Sequence, residues 1–301
     1  AEAYPVTPVS RETQGRTEEF IGSWIAGRKR RASIVLATKV AGPGRPGDPR
    51  RFRGGNNRLD RRNIEEAVDA SLRRLRTDYI DLYQLHWPDR AVPSFGRRGF
   101  AAIADHPDTV PIAETLVVLG DLIKAGKIRH VGVSNETAWG VGEYLRLARE
   151  TGLPRIVSIQ NPYNLLNRLF EIGLSEFALR EQVGLLAYSP LAGGHLTGKY
   201  LGGTIPEGSR RAVAGQFVRY ENAAQPVASA RYVAAAHAHG IDPAQFALAF
   251  VNSRPFVIST IVGATSLAQL ETDIGSIDVT LDESAFTAID AVQRDIPDPC
   301  P

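Results

Sequence analysis

The sequence predicts an α/β fold in which parallel strands alternate with helices. Short apolar runs rich in β-branched and aromatic residues recur along the chain, and each is followed by a loop and a helix-like pattern. In such a fold the carboxyl ends of the strands face one side and build one site. We therefore expect the functional residues at the strand ends, where the polar residues are Lys39, His86, Ser134-Asn135, Gln160-Asn161 and Tyr188-Ser189.

The apolar periods define the elements in order. Strands are predicted at 34–39, 79–86, 129–134, 156–160, 184–189 and 257–262. Helices are predicted at 61–76, 111–126, 137–151, 170–182, 227–239, 243–253, 266–275 and 282–294. Asp60 is suited to cap the first of these helices, and Gly126, Gly152 and Gly240 lie where helices are expected to end.

Three long segments interrupt this alternation, at 41–59, 88–110 and 190–225. Each follows the carboxyl end of a predicted strand, so all three are expected on the same side of the fold. Long loops in compact domains are usually functional or disordered. Their shared location favours a functional role.

The composition limits the classes of function. A chain of 301 residues with 43% hydrophobic residues can build one large α/β domain or two smaller ones. A net charge of +2 argues against a nucleic-acid partner. No apolar run is long enough to suggest a membrane span, and no cluster of metal ligands is recognisable. The single cysteine, Cys300, predicts a reducing, cytoplasmic environment.

Tyr4, Lys39 and His86 are the candidates for proton transfer. A tyrosine hydroxyl has an ordinary pKa of about 10, which is too high for easy proton donation at neutral pH. A neighbouring ammonium group favours the phenolate and lowers that pKa, and Lys39 at a strand end could supply it. His86 could hydrogen-bond a substrate carbonyl or relay a proton. Taken singly, such a lysine or histidine equally fits a structural or capping role.

Four strand-end residues are suited to hold a flat heterocycle: Ser134, Asn135, Gln160 and Tyr188. Asparagine and glutamine side chains can bond both the donor and the acceptor of a carboxamide, and a tyrosine ring offers a stacking face. The alternative is that Asn135 and Gln160 only satisfy backbone groups of their loops.

A third set is suited to bind phosphate. Ser189, Leu191, Gly193 and Gly194 can present backbone amides in a small-residue turn, and Lys199 adds positive charge in the same loop as Arg210 and Arg211. The segment 263–266 then opens a helix, whose N-terminus attracts anions. An ordinary glycine-rich turn remains the alternative. The string GPGRPG at 42–47 fits GxGxxG, but no predicted helix begins there, so a Rossmann fold has no fingerprint here.

At this point the motifs resemble those of a known family. They run in order from Ala1 to about residue 290 as AEAYP, RETQGRTEE, IVLATKV, DYIDLYQLHWP, AGKIRHVGVSNET, IQNPYNLLNR, LLAYSPLAGGHLTGKY and GATSLAQL. Together they resemble the aldo-keto reductases, in particular the Tas-like, long-loop bacterial branch that is close to the potassium channel β subunits.

The resemblance implies a (β/α)8 TIM barrel that binds NADPH and transfers a hydride reversibly between nicotinamide and an aldehyde or ketone. It implies Tyr4 as the general acid, Lys39 as the residue that lowers its pKa, and His86 as the residue that orients the carbonyl. The family's fourth catalytic residue, an aspartate, would lie two residues before Ala1. That aspartate and the first two strands are absent, so we expect one barrel domain over residues 1–301, incomplete at its N-terminus.

The same resemblance implies the cofactor contacts. Ser134, Asn135 and Gln160 would hold the carboxamide, and Tyr188 would stack on the nicotinamide. The pyrophosphate set would be Ser189, Leu191, Gly193, Lys199 and Arg210, and the adenosine set Gly263, Thr265, Gln269, Thr272 and Asp273. The family usually has Glu-Asn at Thr272-Asp273, and its relatives often have arginine at Thr265. NADH therefore stays possible beside NADPH.

The substrate rim is expected from Trp87, Phe95, Tyr163 and the long loops, which suggests apolar or aromatic carbonyls. Two alternatives stay open. A barrel of this branch could act as a nicotinamide-sensing regulatory subunit of another protein, with little turnover. A phosphate-binding barrel of unrelated chemistry would not need the nicotinamide set. The sequence names neither the natural substrate nor the oligomeric state.

Overall fold

The computed structural model describes residues 1–5, 10–44, 52–93, 95, 105–214 and 218–301. The chain divides into two compact units. The first comprises Ala1–Val92 and Ala101–Ile159, and the second comprises Pro93–Phe100 and Gln160–Pro301. The single barrel domain expected from the sequence stays a prediction.

The first unit alternates parallel strands with helices. β1 and β2 pair in parallel with Lys39 opposite Gln84, and β2 pairs in parallel with β3 with Leu85 opposite Val133. The strands are β1 (Ala37–Val40), β2 (Ile80–Leu85), β3 (Ile128–Ser134) and β4 (Ile156–Gln160), of which Gln160 belongs to the second unit. The helices are α1 (Arg16–Arg28), α2 (Arg61–Leu75), α3 (Ile112–Lys124) and α4 (Ala138–Thr151). The parallel register brings the ends of β1, β2 and β3 to the same edge of the sheet.

Local signals fix the ends of these helices. The carboxylate of Asp60 accepts a hydrogen bond from the amide of Asn63 at 2.8 Å and caps α2. The hydroxyl of Thr137 accepts from the amide of Gly140 at 3.2 Å and caps α4. α4 is followed by Gly152, whose φ of 70° lies in the left-handed region that favours glycine. The starts of α2 and α4 therefore follow from capping chemistry that is visible in the sequence.

The second unit contains β5 (Gly184–Ala187) and β6 (Val257–Thr260), which pair in parallel with Leu185 opposite Val257. Its core includes Phe246 and Phe250 of α8, both almost fully buried. The helices are α5 (Leu174–Arg180), α6 (Arg210–Ala214), α7 (Ala224–Ala238), α8 (Pro243–Asn252), α9 (Leu267–Gly275) and α10 (Glu283–Asp295).

The α/β class expected from the sequence is confirmed: each predicted strand is present with its ends shifted by a few residues, and parallel pairs alternate with helices. The predicted helix 170–182 is instead a 3₁₀ turn at Leu169–Glu171 followed by the shorter α5. α1 and the short α6 are additional helices. Parts of the long loops, 45–51, 94, 96–104 and 215–217, lie outside the described residues. In the described ranges, no helix combines the length and the apolar character that crossing a membrane requires.

Candidate functional site

The first unit brings Tyr4, Lys39 and His86 together. The phenol oxygen of Tyr4 lies 3.3 Å from Nε2 of His86, within hydrogen-bonding distance. The two rings meet edge to face with their centres 5.4 Å apart. Nζ of Lys39 lies 5.6 Å from the centre of the Tyr4 ring. A phenol, an imidazole and an ammonium group therefore share one site.

Neighbouring elements position these side chains. Lys39 lies in β1, and His86 directly follows β2, with its amide donating to the carbonyl of Val40 at 2.9 Å. The carbonyl of Tyr4 accepts a hydrogen bond from the amide of Gly15, at the start of α1, at 2.9 Å. The pairing of β1 with β2 thus places Lys39 and His86, and α1 anchors the backbone that carries the phenol.

Lys39 is buried, with 7% of its surface exposed. Burial lowers the pKa of Lys39 to about 8, and the negative charge of Glu18 acts in the opposite direction. An ammonium group with this pKa is still mostly protonated at neutral pH. It can therefore act as a fixed positive charge beside the Tyr4 ring.

Asn135 connects the loop after β3 to the loop after β2. Its Nδ2 donates to the main-chain oxygen of His86 at 2.8 Å and to the hydroxyl of the buried Ser134 at 3.1 Å. The φ of Asn135 is 53°, in the left-handed region that asparagine tolerates better than most residues. The side-chain amide of Asn135 thus satisfies a main-chain group of the loop after β2, and its expected contact with a carboxamide stays a prediction.

Trp87 lies half-buried beside His86, with the centres of the two rings 4.7 Å apart. Its indole N–H donates to the carbonyl of Pro43 at 3.0 Å. A Cβ at Gly42 would fall 2.5 Å from the indole ring of Trp87. Only glycine fits at this position, because the backbone lies directly against the ring. Trp87 also packs on the buried cluster of Ala3, Ala41 and Phe52.

In the second unit, the backbone around Tyr188 is held by hydrogen bonds on both sides. Its amide donates to the carbonyl of Asn161 at 3.1 Å, and its carbonyl accepts from the amide of Tyr163 at 3.3 Å. The Tyr188 hydroxyl accepts from the guanidinium of Arg219 at 3.3 Å. Gln160, at the end of β4, is buried.

The two other rim residues are placed in the second unit. Phe95 is half-buried, with a φ of 60°. Tyr163 has no exposed surface, and its ring lies 5.8 Å from that of Phe250 and 5.3 Å from that of Phe256, centre to centre. Its hydroxyl donates to the carboxylate of Glu171 at 2.5 Å. In this structure Tyr163 therefore occupies a core position, not the rim position expected from the sequence.

The glycine-rich segment forms a turn with several left-handed residues. The φ angles are 56° at Ser189, 67° at Gly193 and 99° at Gly194. Within the turn, the amide of Gly194 donates to the carbonyl of Leu191 at 2.8 Å. A Cβ at Gly194 would lie 2.7 Å from Cε of Lys199, so this lysine runs directly over the turn. Arg210 is exposed at the start of α6.

The residues of the expected adenosine set lie before and along α9. Gly263, Thr265 and Gln269 are exposed, and the side-chain oxygen of Gln269 accepts from both the amide and the hydroxyl of Thr265 at 3.0 Å. Asp273 is buried. Burial and the negative charge of Asp242 raise the pKa of Asp273, while Lys199 acts in the opposite direction.

Two buried carboxylates beside the Tyr4 cluster were missed by the sequence reasoning. Glu2 accepts from the amide of Ala41 at 2.7 Å and forms a paired contact with Arg53 at 2.7 and 3.1 Å. Glu18, at 1% exposure, binds Arg74. Glutamates are rarely buried unless they are paired, and their partners are distant in sequence, so no local pattern identifies them.

Comparison with known proteins agrees with these observations. Residues 1–294 match the Aldo/keto reductase family. The chain is 50% identical over 301 residues to "Protein tas" of Escherichia coli, covering all of this chain and 86% of that protein. It is 40% identical over 256 residues to an "Aldo-keto reductase" of Babesia bovis, covering 81% of this chain and 89% of that protein.

A more distant likeness extends to a "Probable voltage-gated potassium channel subunit beta" of Arabidopsis thaliana, with 31% identity over 280 residues, 88% of this chain and 75% of that protein. The expected family is thereby confirmed. The chain belongs to the aldo/keto reductase family and is an NAD(P)H-dependent oxidoreductase.

Proposed function

We propose that this chain is a carbonyl reductase that transfers a hydride reversibly between NADPH and an aldehyde or ketone, with Tyr4 as the general acid. The observation that carries the proposal is the distance of 3.3 Å between the Tyr4 hydroxyl and Nε2 of His86, with Nζ of Lys39 beside the same ring. A proton donor, a carbonyl-orienting group and a fixed positive charge are what this reaction requires.

When bound, reduced nicotinamide supplies the hydride that adds to the carbonyl carbon. Tyr4 donates its hydroxyl proton to the carbonyl oxygen, where negative charge develops. His86 hydrogen-bonds the same oxygen and aligns it with the phenol. The ammonium group of Lys39 stabilises the phenolate that Tyr4 becomes. The reverse reaction uses the phenolate as the base that removes the alcohol proton.

The residues of the chain fit a dinucleotide cofactor. In the first unit, we assign carboxamide contacts to Ser134 and Asn135. In the second, a lysine over a turn of left-handed residues fits a phosphate, because backbone amides and a positive charge both stabilise an anion. The contacts proposed for the second unit are Gln160, Tyr188, Ser189, Leu191, Gly193, Lys199, Arg210, Gly263, Thr265, Gln269 and Asp273.

NADPH is the proposed cofactor, with NADH possible because Thr265 and the buried Asp273 supply no positive charge for a 2′-phosphate. Trp87 and Phe95 favour apolar or aromatic carbonyl substrates, since both offer large apolar surfaces. The single cysteine supports a cytoplasmic location.

The test compares Tyr4→Phe with the unchanged protein. NADPH oxidation is followed by its absorbance with a panel of aromatic and aliphatic aldehydes, and cofactor binding is followed by tryptophan fluorescence. We expect the variant to lose turnover by roughly 10²-fold or more while the Kd for NADPH stays within about twofold. Tyr79→Phe is the control, since Tyr79 contacts Arg31 and Arg129 and not His86.

Equal loss of binding and turnover in Tyr4→Phe would contradict the general-acid role. Tight NADPH binding with negligible turnover of every carbonyl, in the unchanged protein as well, would instead favour the nicotinamide-sensing regulatory subunit.

A further inference from the structure

We propose that Glu18 is a positioning residue for Lys39 and Tyr4, because its buried carboxylate fastens β1 and α2 to the start of α1. The inference rests on the proposed roles of Lys39 and Tyr4 in carbonyl reduction. It assigns a function to a carboxylate that does not itself touch the reacting groups.

Both carboxylate oxygens of Glu18 are occupied by donors from other elements. The hydroxyls of Thr38 in β1 and Ser71 in α2 donate to Oε1, the second at 3.0 Å. Arg74, also in α2, donates to Oε2 through Nε at 2.7 Å and approaches it with Nη2 at 2.6 Å. A buried carboxylate is tolerated when it is paired in this way. Removing its charge would leave Arg74 without its ionic partner.

The hydrogen bond from Thr38 connects Glu18 to the strand that carries Lys39. Thr38 directly precedes Lys39 in β1, and successive side chains of a strand point to opposite faces of the sheet. Thr38 therefore faces α1 and α2, while Lys39 points to the opposite face, where Tyr4 lies. Holding the strand at Thr38 therefore fixes the direction in which the Lys39 side chain leaves β1.

The same carboxylate acts on the charge of Lys39. Burial lowers the pKa of Lys39 to about 8, and Glu18 raises it. Among the described residues, the other titratable groups near this lysine include the Tyr4 phenol with its partner His86, the Arg74 guanidinium that pairs with Glu18, and Glu2, whose amide donates to the carbonyl of Lys39 at 3.4 Å. Without the Glu18 charge, the ammonium form of Lys39 would be lost at a lower pH.

Arg74 extends the network to Tyr4. Gly15, the residue before α1, has a φ of 84°, and a Cβ there would lie 2.8 Å from Nε of Arg74. The guanidinium that pairs with Glu18 therefore packs directly on Gly15. The amide of Gly15 in turn donates to the carbonyl of Tyr4 at 2.9 Å. One ion pair thus supports the backbones of both proton-transfer residues.

The test is Glu18→Gln, which keeps an oxygen for Thr38 and Ser71 but removes the charge. We expect kcat for carbonyl reduction to fall about tenfold or more, with KM and the Kd for NADPH within about twofold. We also expect the alkaline fall of the pH profile to move to lower pH. Glu18→Asp should restore the position of that fall, and Glu19→Gln, an exposed neighbour in α1, should change neither quantity.

A Glu18→Gln protein that is less stable but keeps the original kcat and pH profile would overturn the inference. If this variant does not fold, Thr38→Val provides the test, because it removes one donor and leaves the pair with Arg74. It should lower kcat without moving the alkaline fall, and an unchanged kcat would contradict the role. If Tyr4→Phe loses turnover while Glu18→Gln keeps the original kcat and pH profile, only this inference is refuted. Full turnover in Tyr4→Phe would refute the proposed function itself.

Discussion

The amino group of Lys39 stands 5.6 Å from the centre of the Tyr4 ring, close enough for a cation–π contact. Its influence at this distance is that of a positive charge on an aromatic ring, which favours the phenolate form of Tyr4. That influence exists only while Lys39 is protonated, so the pKa of one residue governs the acidity of another.

The rate of carbonyl reduction should therefore depend on the protonation of Lys39. Its pKa is lowered to about 8, so the ammonium form is present below that pH and is lost as the pH rises through it. We expect kcat/KM to fall on the alkaline side with an apparent pKa near this value. Lys39→Met should be slower at neutral pH and should lack this fall. A profile in Lys39→Met that matches the original would disprove the assignment.

Gly194→Ala should weaken cofactor binding by displacing Lys199, whose Cε would lie 2.7 Å from the new methyl group. Gly202→Ala is the matched control, because Gly202 also has a positive φ, 68°, but faces open space. Both changes should lower the free energy of unfolding by about 1–2 kcal/mol, the cost of a left-handed alanine. Only Gly194→Ala should also raise the Kd for NADPH, by roughly tenfold. Similar Kd values for the two variants would count against a phosphate role for Lys199.

Asp273→Asn should shift the cofactor preference toward NADPH. A carboxylate near a bound 2′-phosphate repels it, and removing one charge at such a site is worth about 1 kcal/mol, or roughly fivefold in Kd. Glu271→Gln removes the same charge from an exposed position of α9 and should have a smaller effect. Fluorescence titrations with NADPH and NADH measure the ratio. An unchanged ratio in Asp273→Asn would place the 2′-phosphate elsewhere.

Two glycines of α1 should respond oppositely to alanine. At Gly22 a Cβ would lie 2.1 Å from the carbonyl oxygen of Arg74, whereas at Gly27 it would meet nothing within 4 Å. Gly22→Ala should therefore lower the free energy of unfolding by about 3 kcal/mol or more, because the backbone of α2 must move. Gly27→Ala should raise it by about 0.5–1 kcal/mol through the better helix propensity of alanine. Urea denaturation gives both values, and a tolerated Gly22→Ala would show that α1 and α2 separate easily.

The hydrophobic pattern predicted the strands because apolar β-branched runs coincide with them, although Ile258 of β6 is 61% exposed. It did not predict α1, since Phe20 and Trp24 are exposed at 72% and 48%, while the buried positions include Gly22 and Glu18. An apolar stripe therefore does not mark the inner face of this helix.

The strand-end rule also located Lys39 and His86, because parallel strands bring their carboxyl ends to one edge of the sheet. Side-chain environment was harder to predict. Tyr163 follows a strand like the other candidates, yet its ring fills the core against Phe250. Whether a side chain after a strand turns inward or outward depends on distant packing partners.

Asn135 binds the main-chain oxygen of His86, not its imidazole. Every amino acid carries that oxygen, so the hydrogen bond does not depend on which side chain stands at position 86. A substitution at position 86 that tests its role in carbonyl binding would leave the acceptor for Asn135 in place. For protein engineering, the identity of residue 86 is thus uncoupled from the anchoring of the loop that follows β3.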